Sequence, residues 1–331
     1  MISIVNSPVL TEALKQWRSR EVFPTDLSSE DILGFSRDLR MRSVFSARTT
    51  NADYLQEIAE VVDGMLSGKF EMAEGRHRLL KKLKQLGYDP EVGFPDDMAA
   101  IPPAERGSLQ DLSSNARITL VLETNMRIAA NYGRMVEGNT PEALYAYPAW
   151  ELVRLYQRNV PRGTPESHTA GWLVRWRDAG ESVEWDGAVE SPMIARKDSP
   201  IWQALGDGAG GYTDTLSNPF PPFAFNTGMA WKAVDRERSL ALGLISDEEP
   251  SGEMDGQLSP GERETGCIAD RLPADLRAEL LRDMLEDKEG ERLRLSRAEF
   301  ARREDAAVAD RRARLSEIRD AHKKFVEALV A

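Results

Sequence analysis

Apolar side chains recur every three to four residues along much of the first half of the chain, which is the spacing of a helix with one buried face. Leu10, Leu14 and Trp17 predict a short helix near the start. Ser28 or Ser29 would cap a second one carrying Ile32, Leu33 and Phe35. In TTNADYLQEIAEVVDGMLSGKF, Leu55, Ile58, Val61, Val62, Met65 and Leu66 form an amphipathic stripe. Its cap would be Thr50 or Asn51 and its break would lie near Gly68. The next segment, EMAEGRHRLLKKLKQLGY, predicts a helix burying Leu79, Leu80, Leu83 and Leu86, ended by Gly87. Its lysines, Lys81, Lys82 and Lys84, suit the negative end of the helix dipole. Residues 88–108 are rich in proline and acid and read as a loop. Residues 109–137 predict the longest helix, with Leu120, Met126 or Ile128, Ala130 and Met135 turned inward.

The pattern changes after residue 147. Six of the seven tryptophans lie in residues 148–245: Trp150, Trp172, Trp176, Trp185, Trp202 and Trp231. Their size suits the core of a small domain. The stretch from Ala170 to Trp202 mixes apolar and polar residues in short runs with Gly and Pro, which predicts short strands and turns. A small helix is expected near Ile201–Leu205. Then comes NPFPPFAFNTGM, residues 218–229. Proline lacks an amide donor and clashes with a preceding helical turn, so this run suits neither a helix interior nor a central strand. It reads as a shaped apolar loop of Pro219, Phe220, Pro222, Phe223 and Phe225 leading to Trp231. Such a loop either packs on its own domain or is offered to another molecule. If it is extended, Phe223 and Phe225 face the tryptophan core together. Residues 246–270 are rich in Gly, Ser, Pro and acid and predict a linker or mobile loop. Residues 271–331 are helical in pattern and highly charged. Leu315, Ile318, His322, Phe325 and Leu329 form a short heptad-like seam there, able to pair with the body or with another chain.

The expected fold class is therefore α+β. We divide it into an N-terminal extension (1–45), a helical region (46–147), a small Trp-rich α+β domain with short strands (148–245), an acidic linker (246–270) and a charged helical C-terminal extension (271–331).

Charge narrows the function. The 331 residues carry a formal net charge of −12, and the last 61 are nearly balanced, so the acidity lies in the body. That argues against a general nucleic-acid coat or a polybasic membrane protein. No apolar run is long enough to span a bilayer, and the N-terminus lacks the basic and apolar regions of a signal peptide. There is one cysteine, Cys267, and His77, His168 and His322 are far apart. No CxxC, HExxH, GxxxxGK[ST] or GxSxG motif occurs, and no GxGxxG follows a strand. We expect no metal, no cofactor and no small-molecule substrate. The polar cluster Glu123, Thr124 and Asn125 reads as a hydrogen-bonded patch that fixes helix packing, with Glu123 as a catalytic carboxylate the alternative. His168 with Asp178 reads as surface, and Lys197 with Asp198 as a turn and a helix cap, with catalytic roles as the alternative. The arginines at 302, 303, 311, 312 and 314 read as a solvated helix face, with phosphate binding as the alternative.

Three stretches in this order resemble the phage head-morphogenesis family, the minor head proteins named after the Mu F protein. SVFSARTTNADYLQEIAEVVDGMLSGKFEMAEGRHRLLKKL is similar to the family's opening strand-like run, turn, helix, Gly-containing break and second helix. NARITLVLETNMRIAANYGRM is similar to its motif helix, matched here by Arg117, Glu123, Thr124, Asn125, Ala129 and Gly133. NPFPPFAFNTGM stands where many members have a Pro-Pro segment followed by His-Pro and Cys-Arg-Cys. Those cysteines and that histidine are absent here, so no metal or thiol role carries over, and we expect Phe220, Phe223 and Phe225 to pin the loop by packing. The resemblance covers roughly residues 40–245. It implies a few-copy, non-enzymatic head component near the portal vertex, present in the virion and in the host cytoplasm during assembly. Its partners would be the portal protein and other head proteins. Packaged DNA is a possible further partner, although an acidic body holds DNA poorly by charge. Two other readings stay open: a DNA-binding virion or ejection factor acting through the C-terminal helix, and a hydrolase using Glu123, His168 or Asp178.

Overall fold

In a computed structural model, residues 8–25, 27–33, 37–95, 103–155, 162–164, 170–225, 227–246 and 252–254 are described. The fold is a helix-rich α+β arrangement with small sheets. In chain order the elements are α1 (Pro8–Arg18), β1 (Glu21–Val22), α2 (Ser29–Leu33), α3 (Arg37–Arg42), β2 (Ser43–Val44), α4 (Ala52–Leu66), α5 (Met72–Gln85), α6 (Asn115–Gly138) and α7 (Pro141–Ala146). There follow β3 (Ala149–Arg154), α8 (Trp172–Ser182), β4 (Ile194–Arg196), α9 (Ile201–Asp207), β5 (Met229–Val234) and α10 (Arg236–Ala241).

The first core is helical. Ala13 and Trp17 of α1 meet Leu55, Ile58, Val61 and Val62 of α4, Leu79 and Leu83 of α5, and Ile118, Leu122 and Ala129 of α6. Local chemistry starts these helices where the sequence puts cap residues. Asn51 accepts the Tyr54 amide at the start of α4, and Ser114 accepts the Arg117 amide at the start of α6. The Ser28 hydroxyl and the Asp31 carboxylate exchange bonds with each other's amides at the start of α2. Gly87, at φ 71°, ends α5 in the left-handed conformation that a side chain disfavours.

The second core is built on a three-stranded antiparallel sheet, order β4-β3-β5. Trp150 and Leu152 of β3 and Trp231 of β5 face α8, α9 and the C-terminal half of α6. Trp231 lies opposite Leu152, so its diagonal neighbour is Trp150, and the two indoles stack at 5.1 Å and 4°. Ala149, Ile194 and Val234 form a small cluster with Leu244.

Several expectations need correction. The long helix begins at Asn115, because residues 109–114 form bends and turns around Asp111, which accepts the Gly107 and Ser113 amides. Its inward stripe is Ile118, Leu122, Ala129, Tyr132 and Met135, while Leu120 and Ala130 are only partly buried. Leu80 of α5 is exposed, since Leu79 and Leu83 already fill the seam toward α6. Residues 172–182 are helix α8 rather than strands and turns. Trp172, Arg175, Trp176, Ala179 and Gly180 recur at helical spacing and are all buried. Within the expected linker, Met254 is buried against the second core. Residues 271–331 and Cys267 lie outside the described residues, as does Phe35.

Helix α1 is held against α6 by close backbone contact at Gly133. A Cβ there would lie 2.1 Å from the Val9 carbonyl oxygen and 3.0 Å from the Ala13 nitrogen. Only a hydrogen fits between the two backbones. Gly133→Ala should destabilise the protein by roughly 1–3 kcal/mol through overpacking. Urea denaturation with an unchanged slope is the check, and an unaltered midpoint would contradict this close contact.

Candidate functional site

The candidate site is the NPFPPFAF loop with the α6 motif beside it. The chain runs out along Asp214–Leu216 and returns along Phe223–Phe225. The Leu216 amide donates to the Phe223 carbonyl at 2.9 Å, and the Phe225 amide donates to the Asp214 carbonyl at 3.0 Å. Residues 219–222 form the tip, which includes a cis peptide bond between Pro221 and Pro222. Gly206 lets this loop press on α9, because a Cβ there would sit 2.0 Å from the Asn218 carbonyl oxygen.

The loop faces inward. Pro219, Phe220, Pro222 and Phe223 are buried, with both phenylalanines at 0% exposure. Phe223 lies parallel to Trp202 at 6.2 Å and edge-on to Trp231 at 6.2 Å. Phe220 meets Tyr132 of α6 edge-on at 6.0 Å. Phe225 does not join Phe223 in the core. It sits in a turn at the end of the return run and is only partly buried. The paired runs fold the chain back on itself, so the partner of Phe223 in the core is Phe220 from the tip.

Three ionic groups hold the loop's outer edge. Arg162 and Arg175 are both buried and both donate to Asp214, Arg175 at 2.8 Å. Arg162 also donates to the Phe225 carbonyl at 2.9 Å. Burial alone would push the Asp214 carboxyl up, but the hydrogen bonds and charges of the two arginines outweigh it and its pKa ends below the ordinary range. Arg175 lies over the Tyr212 ring at 4.2 Å, and Tyr212 donates its hydroxyl proton to Asp178. Burial, that hydrogen bond and the Asp178 charge push the Tyr212 phenol up to about 12.

The polar positions of α6 are structural ties. Arg117 donates to Ser46 Oγ at 2.7 Å and to the Ala47 carbonyl at 2.8 Å. Glu123 accepts from Arg127 at 2.8 Å, and Arg127 donates onward to the Thr227 carbonyl at 2.9 Å. Asn125 donates to the Val121 carbonyl and accepts from Arg20. Thr124 lies partly buried on the same turn. The packing reading of the Glu123–Asn125 cluster is the one these bonds match. Glu123 and Asp178 share no partner, and His168 lies outside the described residues. His77 is exposed on α5.

Lys197 departs furthest from expectation. It is 1% exposed, and its ammonium donates to the carbonyls of Gly138 at 2.7 Å and Ala143 at 3.1 Å, 4.6 Å from the centre of the Trp150 ring. Among the described residues no carboxylate pairs with it, and burial lowers its pKa from 10.5 to about 8. Asp198 does not cap α9, whose first residue is preceded by Pro200; it is held instead by both nitrogens of the Arg196 fork at 2.8–2.9 Å. Sequence reasoning does not find Arg127, Arg162 and Arg175, whose bonds to Thr227 and Asp214 span distant positions, and it finds Lys197 but not its partners. The helical spacing of Trp172, Arg175, Trp176 and Ala179 was the one available signal. Among the described residues no group of His, Cys, Asp or Glu is placed to hold a metal ion, and no helix is long and apolar enough to cross a membrane.

No protein-family model matches this chain, and no match is found among curated proteins or among solved structures.

Two measurements follow. Phe223→Ala should cost about 3–5 kcal/mol, as for a fully buried ring, and Phe225→Ala distinctly less. Equal losses in chemical denaturation would return Phe225 to the core. For Lys197, the unfolded chain holds the proton between pH 8 and 10.5 more tightly than the fold does. Its contribution to stability should therefore rise with pH across that window, by at most about 1.4 kcal/mol per pH unit. The stability difference between wild type and Lys197→Met is the measure, and a flat difference would show that the carbonyls and the ring fully replace water around the ammonium.

Proposed function

We propose that this chain is a minor head protein of a tailed bacteriophage, associated with the portal vertex and acting in head morphogenesis, DNA packaging or delivery through protein–protein contacts. The observation that carries the reading is connectivity. The three stretches that resemble the head-morphogenesis family are tied into one unit by α6. Arg117 fastens α6 to Ser46 and Ala47 in the first stretch. Glu123 positions Arg127 on Thr227 at the end of the third. Tyr132 meets Phe220 of that same loop. Residues that look weak as separate motifs are thus the fasteners of a single framework.

The geometry also refines how such a protein would work. The aromatic loop is spent inside the fold, so partners are met through other surfaces. Glu123 and Asp178, two of the three residues named for hydrolysis, are engaged in structural bonds, which favours an assembly role without turnover. In this reading the protein acts in the virion near the portal and in the host cytoplasm before that. DNA binding through the arginines at 302–314 is the second reading; these residues lie outside the described residues, and the acidic body favours protein partners.

Quantitative mass spectrometry of proheads and mature particles, scaled to the portal protein, tests the proposal. A few copies per portal are expected. Absence from both particles, together with no binding to purified portal, would overturn it. DNA retention that weakens steeply with salt and vanishes on deleting residues 271–331 would move the assignment to the second reading.

A further inference from the structure

One short segment of the acidic stretch is seated on the body like a bound peptide. Both polar atoms of the Asn139 side chain read the backbone of a single residue. Its Nδ2 donates to the Met254 carbonyl at 2.9 Å, and its Oδ1 accepts the Met254 amide at 3.1 Å. The Met254 side chain is 5% exposed, and its sulfur accepts the indole N–H of Trp150 at 3.2 Å. Two residues earlier, the Gly252 amide donates to Asp198 Oδ2 at 3.0 Å. Asp198 is itself fixed by the Arg196 fork. The approach leaves no space for a side chain, because a Cβ on Gly252 would lie 2.6 Å from Asp198 Oδ2. Glu253, between them, is exposed.

These are the ingredients by which proteins recognise extended peptides: main-chain hydrogen bonds for affinity and a side-chain pocket for specificity. The slot is built from elements remote in sequence, the end of α6, β3 and the turn after β4. Its floor is rigid. Trp150 stacks on Trp231, and Lys197 lies over the Trp150 ring. Gly138 brings α6 against the same ring, where a Cβ would be 2.7 Å from it.

We propose that Gly252–Met254 is a releasable latch, a peptide ligand carried in the chain itself that seats in the Asn139–Trp150–Asp198 slot and fixes where residues 255–331 leave the body. The seat involves three residues, with one buried side chain and three backbone hydrogen bonds. With the latch seated, the C-terminal segment starts beside the end of α6. With it released, the last residue held by the described fold is Ser246, eight positions earlier, which adds roughly 25–30 Å of chain between the body and Met254. The device would set where the chain after Met254 is tethered to the body. The inference does not depend on the function proposed above.

The test uses the full chain and a variant that leaves the core intact. Gly252→Ala places a methyl against Asp198 without altering Met254 or the tryptophans. Adding Asp198→Ala removes the obstructing carboxylate, leaving only a Cβ 3.2 Å away. In the wild type the Met254 amide should exchange with deuterium at least about tenfold more slowly than in the free peptide of residues 248–258. Gly252→Ala should return it to the free-peptide rate, and the double variant should recover much of the protection. A synthetic peptide of residues 248–258, added to the Gly252→Ala chain, should shift the Trp150 indole N–H resonance. The same peptide with serine at the methionine position should not. Free-peptide exchange of Met254 in the wild type would overturn the latch, as would protection unchanged by Gly252→Ala. Protection that disappears on dilution together with a dimer would also overturn it, by giving the slot to a second copy of the chain.

Discussion

Helix α6 must satisfy two cores at once, and most of the fold depends on how it does so. Over 24 residues its N-terminal half gives Ile118 and Leu122 to a helical core, and its C-terminal half gives Tyr132 and Met135 to an aromatic one. The handover is made by small and polar residues. Ala129 is buried in the first core, and Gly133 admits the backbone of α1. Arg127 leaves the helix to bind the Thr227 carbonyl beyond the loop. At the end Gly138 clears space for Trp150, and the Gly138 carbonyl receives Lys197. A helix with one continuous apolar stripe would serve a single core. Here the stripe is interrupted where the neighbours change.

That interruption explains what the sequence could and could not convey. Helices α4 and α5 bury a regular face against one set of neighbours, so spacing and cap residues located them well. The same rule misplaced the inward face of α6, because no single stripe describes it. Helix α8 was hidden for another reason. Its buried face contains Arg175 and Gly180, and a pattern search that counts apolar residues skips both. The proline loop was legible as a loop, since that follows from missing amide donors. Which phenylalanines it buries was not legible, because the paired runs and the tip are set by partners at Asp214, Leu216 and Gly206. The burial of Lys197 gave no signal, as both of its acceptors are backbone carbonyls more than fifty positions away.

The chain is acidic as a whole, yet among the described residues four of the five buried charged side chains, Arg40, Arg162, Arg175 and Lys197, are basic, Asp111 being the fifth. Three of the four are placed beside an aromatic face. Arg162 and Arg175 lie near Trp172, and Lys197 lies over Trp150. Aromatic faces and backbone carbonyls carry partial negative charge and can be buried without desolvating a second ion. The two arginines share one carboxylate, Asp214, and the lysine uses none. Among the described residues Asp111 is the one buried acidic side chain, and the remaining acidic charge repels polyanions.

The tryptophans form more than a filler. Trp185, Trp176, Trp202, Trp231 and Trp150 follow one another with ring centres 5.1–5.4 Å apart, the first three contacts edge-on and the last stacked. Chromophores this close do not absorb independently. Their transition dipoles couple, so the near-ultraviolet circular dichroism of the row reads its packing as a whole. Trp150, at one end, also meets the ammonium of Lys197 and the sulfur of Met254, so the same signal senses the seat of Met254 without an added label.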